Sequence, residues 1–112
     1  MLMCVDFADL TVAFMGVGNI GVQARSVEPI KPISKNGIVG YRLPRLQEFR
    51  YRYTPGDLFV LHSDGISSRF VLNSLGEWNS ERSLVDNPQA LAEEIAQRFG
   101  KDNDDLTVIV AK

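Results

Sequence analysis

Residues 55–65 read Pro55-Gly56-Asp57-Leu58-Phe59-Val60-Leu61-His62-Ser63-Asp64-Gly65, an apolar run between two turns. A short apolar run bounded by turn signals is typical of a buried strand. Asp64 stands where this strand ends, so rigid backbone would hold its carboxylate while the side chain still reaches solvent. Hard cations such as Mg²⁺ prefer oxygen ligands on a fixed frame, and Asp64 is therefore a candidate metal ligand.

A similar pattern stands at the C-terminus in the reverse order. The acidic turn Asp102-Asn103-Asp104-Asp105 precedes a β-branched apolar run at residues 106–111. If the two runs are antiparallel strands of one sheet, Asp64 and Asp104 emerge at the same end. Carboxylates held close together repel each other, so such a pair either shares a proton or binds a cation.

Gly16-Val17-Gly18-Asn19-Ile20-Gly21 matches the dinucleotide-binding fingerprint G-x-G-x-x-G. The fingerprint binds pyrophosphate only where a helix begins, because the helix N-terminus supplies the N–H groups and the dipole. Valines and two prolines follow within a few residues, and no acidic residue stands at the spacing that ribose binding needs. The sequence favours a glycine-rich turn joining antiparallel strands at residues 10–15 and 20–26, with a nucleotide-binding module as the alternative.

Residues 46–53 alternate between apolar and charged side chains. Phe49 and Tyr51 would lie on one face and Arg50 and Arg52 on the other, which predicts a half-exposed antiparallel strand. For the arginines, a solvated face is favoured over a phosphate clamp. Trp78 stands in a polar stretch further along, and we expect it to anchor an irregular loop.

The clearest helix is predicted over residues 88–99. Asn87 suits the N-cap, Pro88 the first helical position and Gly100 the position after the helix end. An apolar stripe runs along one side at Leu91, Ile95 and Phe99. The predicted fold class is therefore α+β, an antiparallel sheet with this one C-terminal helix packed on it.

Length and composition bound the classes of protein that are possible. At 112 residues the chain is expected to be a single domain, residues 1–112, and its net charge of −2 carries no basic signature for nucleic acid. Cys4 is the only cysteine, which excludes an intrachain disulfide, indicates a cytoplasmic protein and predicts a small buried side chain. The N-terminus has no pattern of a signal peptide or membrane span.

Five segments of the chain form an ordered set of motifs. They are Gly16-Val17-Gly18-Asn19-Ile20, Asn36-Gly37-Ile38-Val39-Gly40, Gly56-Asp57, Ser63-Asp64-Gly65 and Asp104-Asp105-Leu106-Thr107-Val108. This set resembles the late motifs of metal-dependent serine/threonine protein phosphatases of the type 2C class, over residues 10–112. The bacterial SpoIIE/RsbX-like branch, which serves sporulation and stress signalling, is the closer likeness.

The resemblance implies a fold, a chemistry and a partner. The fold would be part of an αββα sandwich, and two Mn²⁺ or Mg²⁺ ions would activate a water that attacks phosphorus directly. Asp64 and Asp104 would be metal ligands, with Asp105 in an outer, hydrogen-bonding position. The implied partner is a phosphorylated signalling protein, either a STAS-type anti-sigma antagonist or a stressosome component.

The chain departs from the family in one respect. The family's early acidic motif and early Asp-Gly motif would precede residue 10, and Asp6 and Asp9 do not fit them. The chain therefore resembles the C-terminal half of such a domain, which leaves its status as an enzyme open. The alternatives are a phosphatase that is inactive as this chain alone, a catalytically silent partner-binding module and a nucleotide-binding module. An incomplete sandwich would expose edges and apolar surface, so self-association is expected.

Overall fold

A computed structural model describes residues 1–77 and 85–112, and the predicted role of Trp78 lies outside these residues. In the described part, six strands form two antiparallel three-stranded sheets. The strands are β1 (Leu2–Asp6), β2 (Thr11–Met15), β3 (Ile20–Arg25), β4 (Phe49–Arg52), β5 (Leu58–Ser63) and β6 (Val108–Ala111). The helices are a 3-10 helix (Leu72–Glu77) and an α-helix, α1 (Pro88–Phe99).

The first sheet has the strand order β1-β2-β4 and is covered on one face. In its register Leu2 pairs with Met15, and Phe14 with Phe49. Val12 and Phe14 of the central strand are buried, and Arg50 on the opposite face of the sheet is exposed. No helix within residues 1–77 and 85–112 packs on that outer face.

The second sheet has the strand order β3-β5-β6, and both faces of its central strand are covered. Leu58 and Val60 point into a cluster that contains the buried residues of α1. Phe59 and Leu61, which alternate with them, point toward the first sheet. The uninterrupted apolar run of β5 follows from this, because a strand buried on both faces has no solvent side to make polar.

Aromatic side chains join the two sheets in a shared core. The Phe14 ring of the first sheet lies 5.9 Å from the Phe59 ring of the second, and 6.0 Å from the Tyr51 ring. Both contacts are edge-to-face, an arrangement that adds about 0.5–1.5 kcal/mol per pair beyond area burial. Ile30, from the segment between β3 and β4, completes this cluster.

The helix α1 has the bounds that the sequence predicts. Asn87 Oδ1 accepts a hydrogen bond from Ala90 N–H at 3.1 Å, and such a cap contributes about 1 kcal/mol. Gly100 follows the helix, and its N–H donates to Ala96 O at 3.0 Å. Leu91 and Ile95 are buried against the second sheet, as the apolar stripe predicts.

The α+β class is confirmed, with two sheets where the sequence indicated one. The predicted strands at residues 10–15 and 20–26 exist as β2 and β3, but they lie in different sheets. The glycine-rich turn between them is therefore a crossover from one sheet to the other. No helix in the described ranges is both long and apolar enough to span a membrane.

The prediction that Cys4 is buried is wrong. Cys4 lies on β1, a strand for which the sequence analysis made no prediction, and its side chain is exposed. Met3 and Val5 of the same strand contact the core, so the alternation of the strand turns Cys4 to the outer face.

Candidate functional site

Asp64 and the acidic turn at residues 102–105 meet at one end of the second sheet. The antiparallel register of β5 and β6 pairs His62 with Val108, so the end of β5 lies beside the start of β6. Two hydrogen bonds extend the pairing beyond the strands: Ser63 N–H donates to Thr107 O, and Thr107 N–H donates to Ser63 Oγ, each at 3.0 Å. Asp64, Asp104 and Asp105 are all exposed at this end.

Gly65 permits the close approach of the two turns. A Cβ atom at this position would collide with the carbonyl oxygen of Asp105 and lie 2.8 Å from the Leu106 Cβ. Any larger residue would have to push the acidic turn away from the turn that carries Asp64. The absence of a side chain at Gly65 therefore allows the turn that carries Asp64 to lie close to the turn that carries Asp104 and Asp105.

Lys101, which the sequence analysis did not single out, ties the end of α1 to the same turn. Its backbone N–H donates to Gly65 O at 2.8 Å, and its Nζ donates to Asp64 O at 2.7 Å. Ser67 N–H donates to Phe99 O at 2.7 Å, which adds a third link. The sequence gives one local indication of this role, because Lys101 stands between the predicted end of the helix and the acidic turn.

Gln23, on β3, makes two hydrogen bonds to the segment after β5, and no local sequence pattern predicts them. Its Nε2 donates to Phe70 O at 2.8 Å, and its Oε1 accepts from Leu72 N–H at 2.6 Å. These bonds hold the segment that follows the Asp-Gly turn against β3.

His62 has a structural environment. Its Nδ1 lies 3.0 Å from the carbonyl oxygen of Ser63, and its ring meets the Phe70 ring edge-on at 5.7 Å. A Cβ atom at Gly21 would collide with the His62 ring, so the ring lies directly over that glycine.

The donor set at this end does not fit a complete divalent metal centre. A cavity of about 530 Å³ adjoins the acidic turn, and its lining includes the acids Asp102 and Asp104 and the cations Arg69 and Lys101. Nowhere in residues 1–77 and 85–112 do three or more Asp, Glu, His or Cys side chains gather closely enough to hold a metal ion. Mg²⁺ usually keeps several water ligands and is bound through one or two carboxylates, so Asp64 and Asp104 fit part of a site, and a two-ion centre would need further carboxylates.

The glycine-rich turn lacks the feature that nucleotide binding needs. A strand, β3, begins at Ile20 where the dinucleotide-binding fingerprint requires a helix. Gly18 N–H donates to Lys35 O at 2.9 Å, and Lys35 N–H donates to Gly16 O at 2.8 Å. The turn is thus bonded to the segment between β3 and β4, and nothing in this geometry favours a phosphate site.

Comparison with known proteins finds likeness among solved structures, whereas no protein-family profile and no curated protein matches the chain. One similar structure is of the bacterial stressosome, described as a modular system that has been adapted to control secondary messenger signalling. It is 34% identical, with a TM-score of 0.78, over 96% of this chain and 55% of that one. Another is of RsbX in complex with magnesium, at 22% identity and a TM-score of 0.64, over 95% of this chain and 51% of that one.

These comparisons show the fold. The chain adopts an RsbX-like fold over almost its whole length. It spans about half the length of each of the two solved chains.

Proposed function

We propose that the chain is a partner-binding module of bacterial stress signalling, built on part of an RsbX-like phosphatase fold. The observation that carries the proposal is the likeness to a stressosome chain, with a TM-score of 0.78 and 34% identity across 96% of the residues. Its partner would be a phosphorylated signalling protein, either a STAS-type anti-sigma antagonist or another stressosome component.

We also propose how the sheets and helices are stacked in layers. The two sheets would be the central layers of an αββα sandwich, and α1 an outer layer on the second sheet. The shared aromatic core around Phe14 and Phe59 supports this arrangement. The outer face of the first sheet would be the position of the opposite helical layer.

A second candidate function is metal-dependent hydrolysis of phosphoserine or phosphothreonine. It is favoured by the position of Asp64 and Asp104 at one end of the second sheet. In that case these two residues would bind Mn²⁺ or Mg²⁺, and Asp105 would hydrogen-bond in an outer position. The described donor set is too small for such a centre, so further carboxylates would have to come from elsewhere.

The two functions separate in one pair of measurements. A purified, phosphorylated STAS-type stressosome protein is titrated into the wild-type chain and into Asp64→Ala, and phosphate release is followed with and without Mn²⁺. The proposal expects binding that Asp64→Ala changes by less than about twofold, since water and salt screen the charge of a single exposed carboxylate. Asp9→Ala, an exposed acid in the β1–β2 turn, is the matched control.

Each other outcome has a definite meaning. Mn²⁺-dependent phosphate release that Asp64→Ala abolishes and Asp9→Ala retains would establish the hydrolase instead. Absence of binding by a chain whose circular dichroism shows it folded would refute the partner-binding function.

A further inference from the structure

One segment of the chain differs sharply in charge from the rest. Residues 29–47, here called the acid-free segment, contain no Asp or Glu and four cations. These cations are Lys31, Lys35, Arg42 and Arg45. The whole chain has a net charge of −2, so the segment carries +4 and the remaining residues −6. Such segregation gives a surface a positive field that the overall charge conceals.

The middle of the segment is an ordered hairpin at residues 38–42. Ile38 N–H donates to Arg42 O, and Arg42 N–H donates to Ile38 O, each at 2.9 Å. Gly40 occupies the tip with a φ of +85°, a conformation that glycine adopts without strain. The hairpin therefore presents its neighbouring side chains on a fixed backbone.

These side chains are large, apolar and exposed. Val39 is 76% exposed and Tyr41 85% exposed, on either side of the tip. The same segment also exposes Ile33, Ile38, Leu43 and Leu46. Scattered apolar residues are normal on a protein surface, but a contiguous group of this kind marks an interaction site.

Beside the hairpin lies a cavity of about 630 Å³. Ile38, Tyr41 and Leu43 contribute apolar walls and Arg42 a cationic one. Within residues 1–77 and 85–112, no carboxylate pairs with Arg42 or Arg45. The cavity thus combines apolar walls with the guanidinium group of Arg42, and Arg45 directly follows Pro44, another of its lining residues.

The hairpin lies at the end of the molecule that carries Asp64. Lys35 is bonded to Gly16 and Gly18 in the turn that leads into β3. The first residue of β3, Ile20, pairs with Ser63, the residue before Asp64. A protein docked on the hairpin would therefore be held next to the candidate site.

We propose that the hairpin at residues 38–42, with Arg45, is the docking surface for an acidic protein partner. Arg42 and Arg45 would bind carboxylates or a phosphoryl group, and an apolar partner side chain would enter the cavity between Ile38 and Leu43. The proposal rests on the partner-binding function and names its surface and the chemistry of its partner. A cavity suits the side chain of a protein better than it suits a lipid surface or a nucleic-acid backbone.

The test uses fluorescence anisotropy with two labelled phosphoserine peptides in EDTA, so that no metal centre is involved. Aspartate, glutamate and leucine flank the phosphoserine in one peptide, and lysine replaces the acids in the other. The wild-type chain is expected to bind the acidic peptide more tightly by about tenfold or more, as charge complementarity and two guanidinium contacts allow. Added salt should weaken this binding.

Matched variants locate the contact. Arg42→Glu combined with Arg45→Glu should weaken binding of the acidic peptide by about tenfold or more, whereas Arg52→Glu should change it by less than about twofold. Arg52 is exposed and pairs with Thr11, at the end of β2 remote from the hairpin, so it is the control for net charge. Val39→Ser combined with Tyr41→Ser should also weaken binding, although it alters no charge. All these side chains are exposed, so the variants should fold, and circular dichroism checks this.

Several results would overturn the proposal. These are equal affinity for both peptides, an equal loss in the Arg52→Glu variant, or tighter binding of duplex DNA or phosphatidylglycerol vesicles than of the acidic peptide. A change in sedimentation on altering the hairpin would identify a second copy of the chain as the occupant. If the phosphorylated STAS-type protein binds the wild type and the Arg42→Glu, Arg45→Glu variant equally, the docking surface is wrong but the partner-binding function stands.

Discussion

The two sheets share one core but differ in how many of their faces are covered. The second sheet packs against the first on one side and against α1 on the other, whereas the outer face of the first sheet carries no helix of the described residues. Their sequences differ accordingly, since β5 is apolar at four consecutive positions and β4 alternates Phe-Arg-Tyr-Arg. The order of polar and apolar residues in a strand thus indicates whether one or both of its faces are covered.

The comparison predicts an unequal distribution of stability. Burying a Leu, Val or Phe side chain contributes about 1.5–3 kcal/mol, and β5 buries such side chains on both of its faces. Side-chain burial contributes little stability on the outer face of the first sheet, because the side chains there remain in contact with water.

The largest expected difference in the free energy of unfolding is between two leucine-to-alanine variants, one on the outer face of each sheet. Leu58→Ala, under α1, should lower the free energy of unfolding by about 2–5 kcal/mol, because Leu58 is 1% exposed and its removal leaves a cavity. Leu2→Ala, on the first sheet, should cost less than about 0.5 kcal/mol, because Leu2 is 66% exposed. Urea unfolding followed by circular dichroism measures both, and equal losses would show that both outer faces are covered.

An intermediate effect is expected at Gln23, the side chain that joins β3 to the segment after the Asp-Gly turn. Gln23→Ala should cost about 1–3 kcal/mol, because it leaves two partly buried backbone groups, Phe70 O and Leu72 N–H, without their partner. Gln47→Ala, at an exposed position, is the control and should be neutral. If both variants unfold at the same urea concentration, these hydrogen bonds do not stabilise the second sheet.

The smallest effect is expected at the centre of the outer face of the first sheet. Ala13 lies on β2 between Cys4 and Arg50. Ala13→Thr should change the free energy of unfolding by no more than about 0.5 kcal/mol in either direction, since threonine favours strands and the position is not packed beneath a described helix. Thermal unfolding measures it, and a loss approaching that of Leu58→Ala would contradict an open face.

Elements with local signals could be predicted from the sequence. The cap at Asn87, the proline at position 88 and the glycine at position 100 lie within one continuous stretch, and α1 has the predicted bounds. The central strand β5 was recognisable because two turns enclose it. The alternation of β4 gave the correct faces, though the strand is shorter than predicted.

Features that depend on distant partners could not be predicted. The sequence does not reveal that β2 pairs with β1 and β4 while β3 pairs with β5, because strand pairing is decided by the whole fold. Gln23 bonds to groups 47 and 49 residues away, and Lys101 to one 37 residues away. For the site, the common position of Asp64 and Asp104 followed from antiparallel strands, and their metal-binding role stays a prediction.

The pairing pattern has a consequence for how fast each sheet assembles. β1 and β2 are joined by a turn of four residues, so their hairpin can close early at small cost in chain entropy. In the second sheet, Ile20 pairs with Ser63 and Leu61 pairs with Ile109, so more than 40 residues of chain must close into a loop before each pair forms. Contacts of such sequence separation slow folding. The pairing of β4 with β2 in the first sheet also joins distant residues, such as Phe14 and Phe49. We therefore expect the β1–β2 hairpin to form first and both complete sheets to form after it.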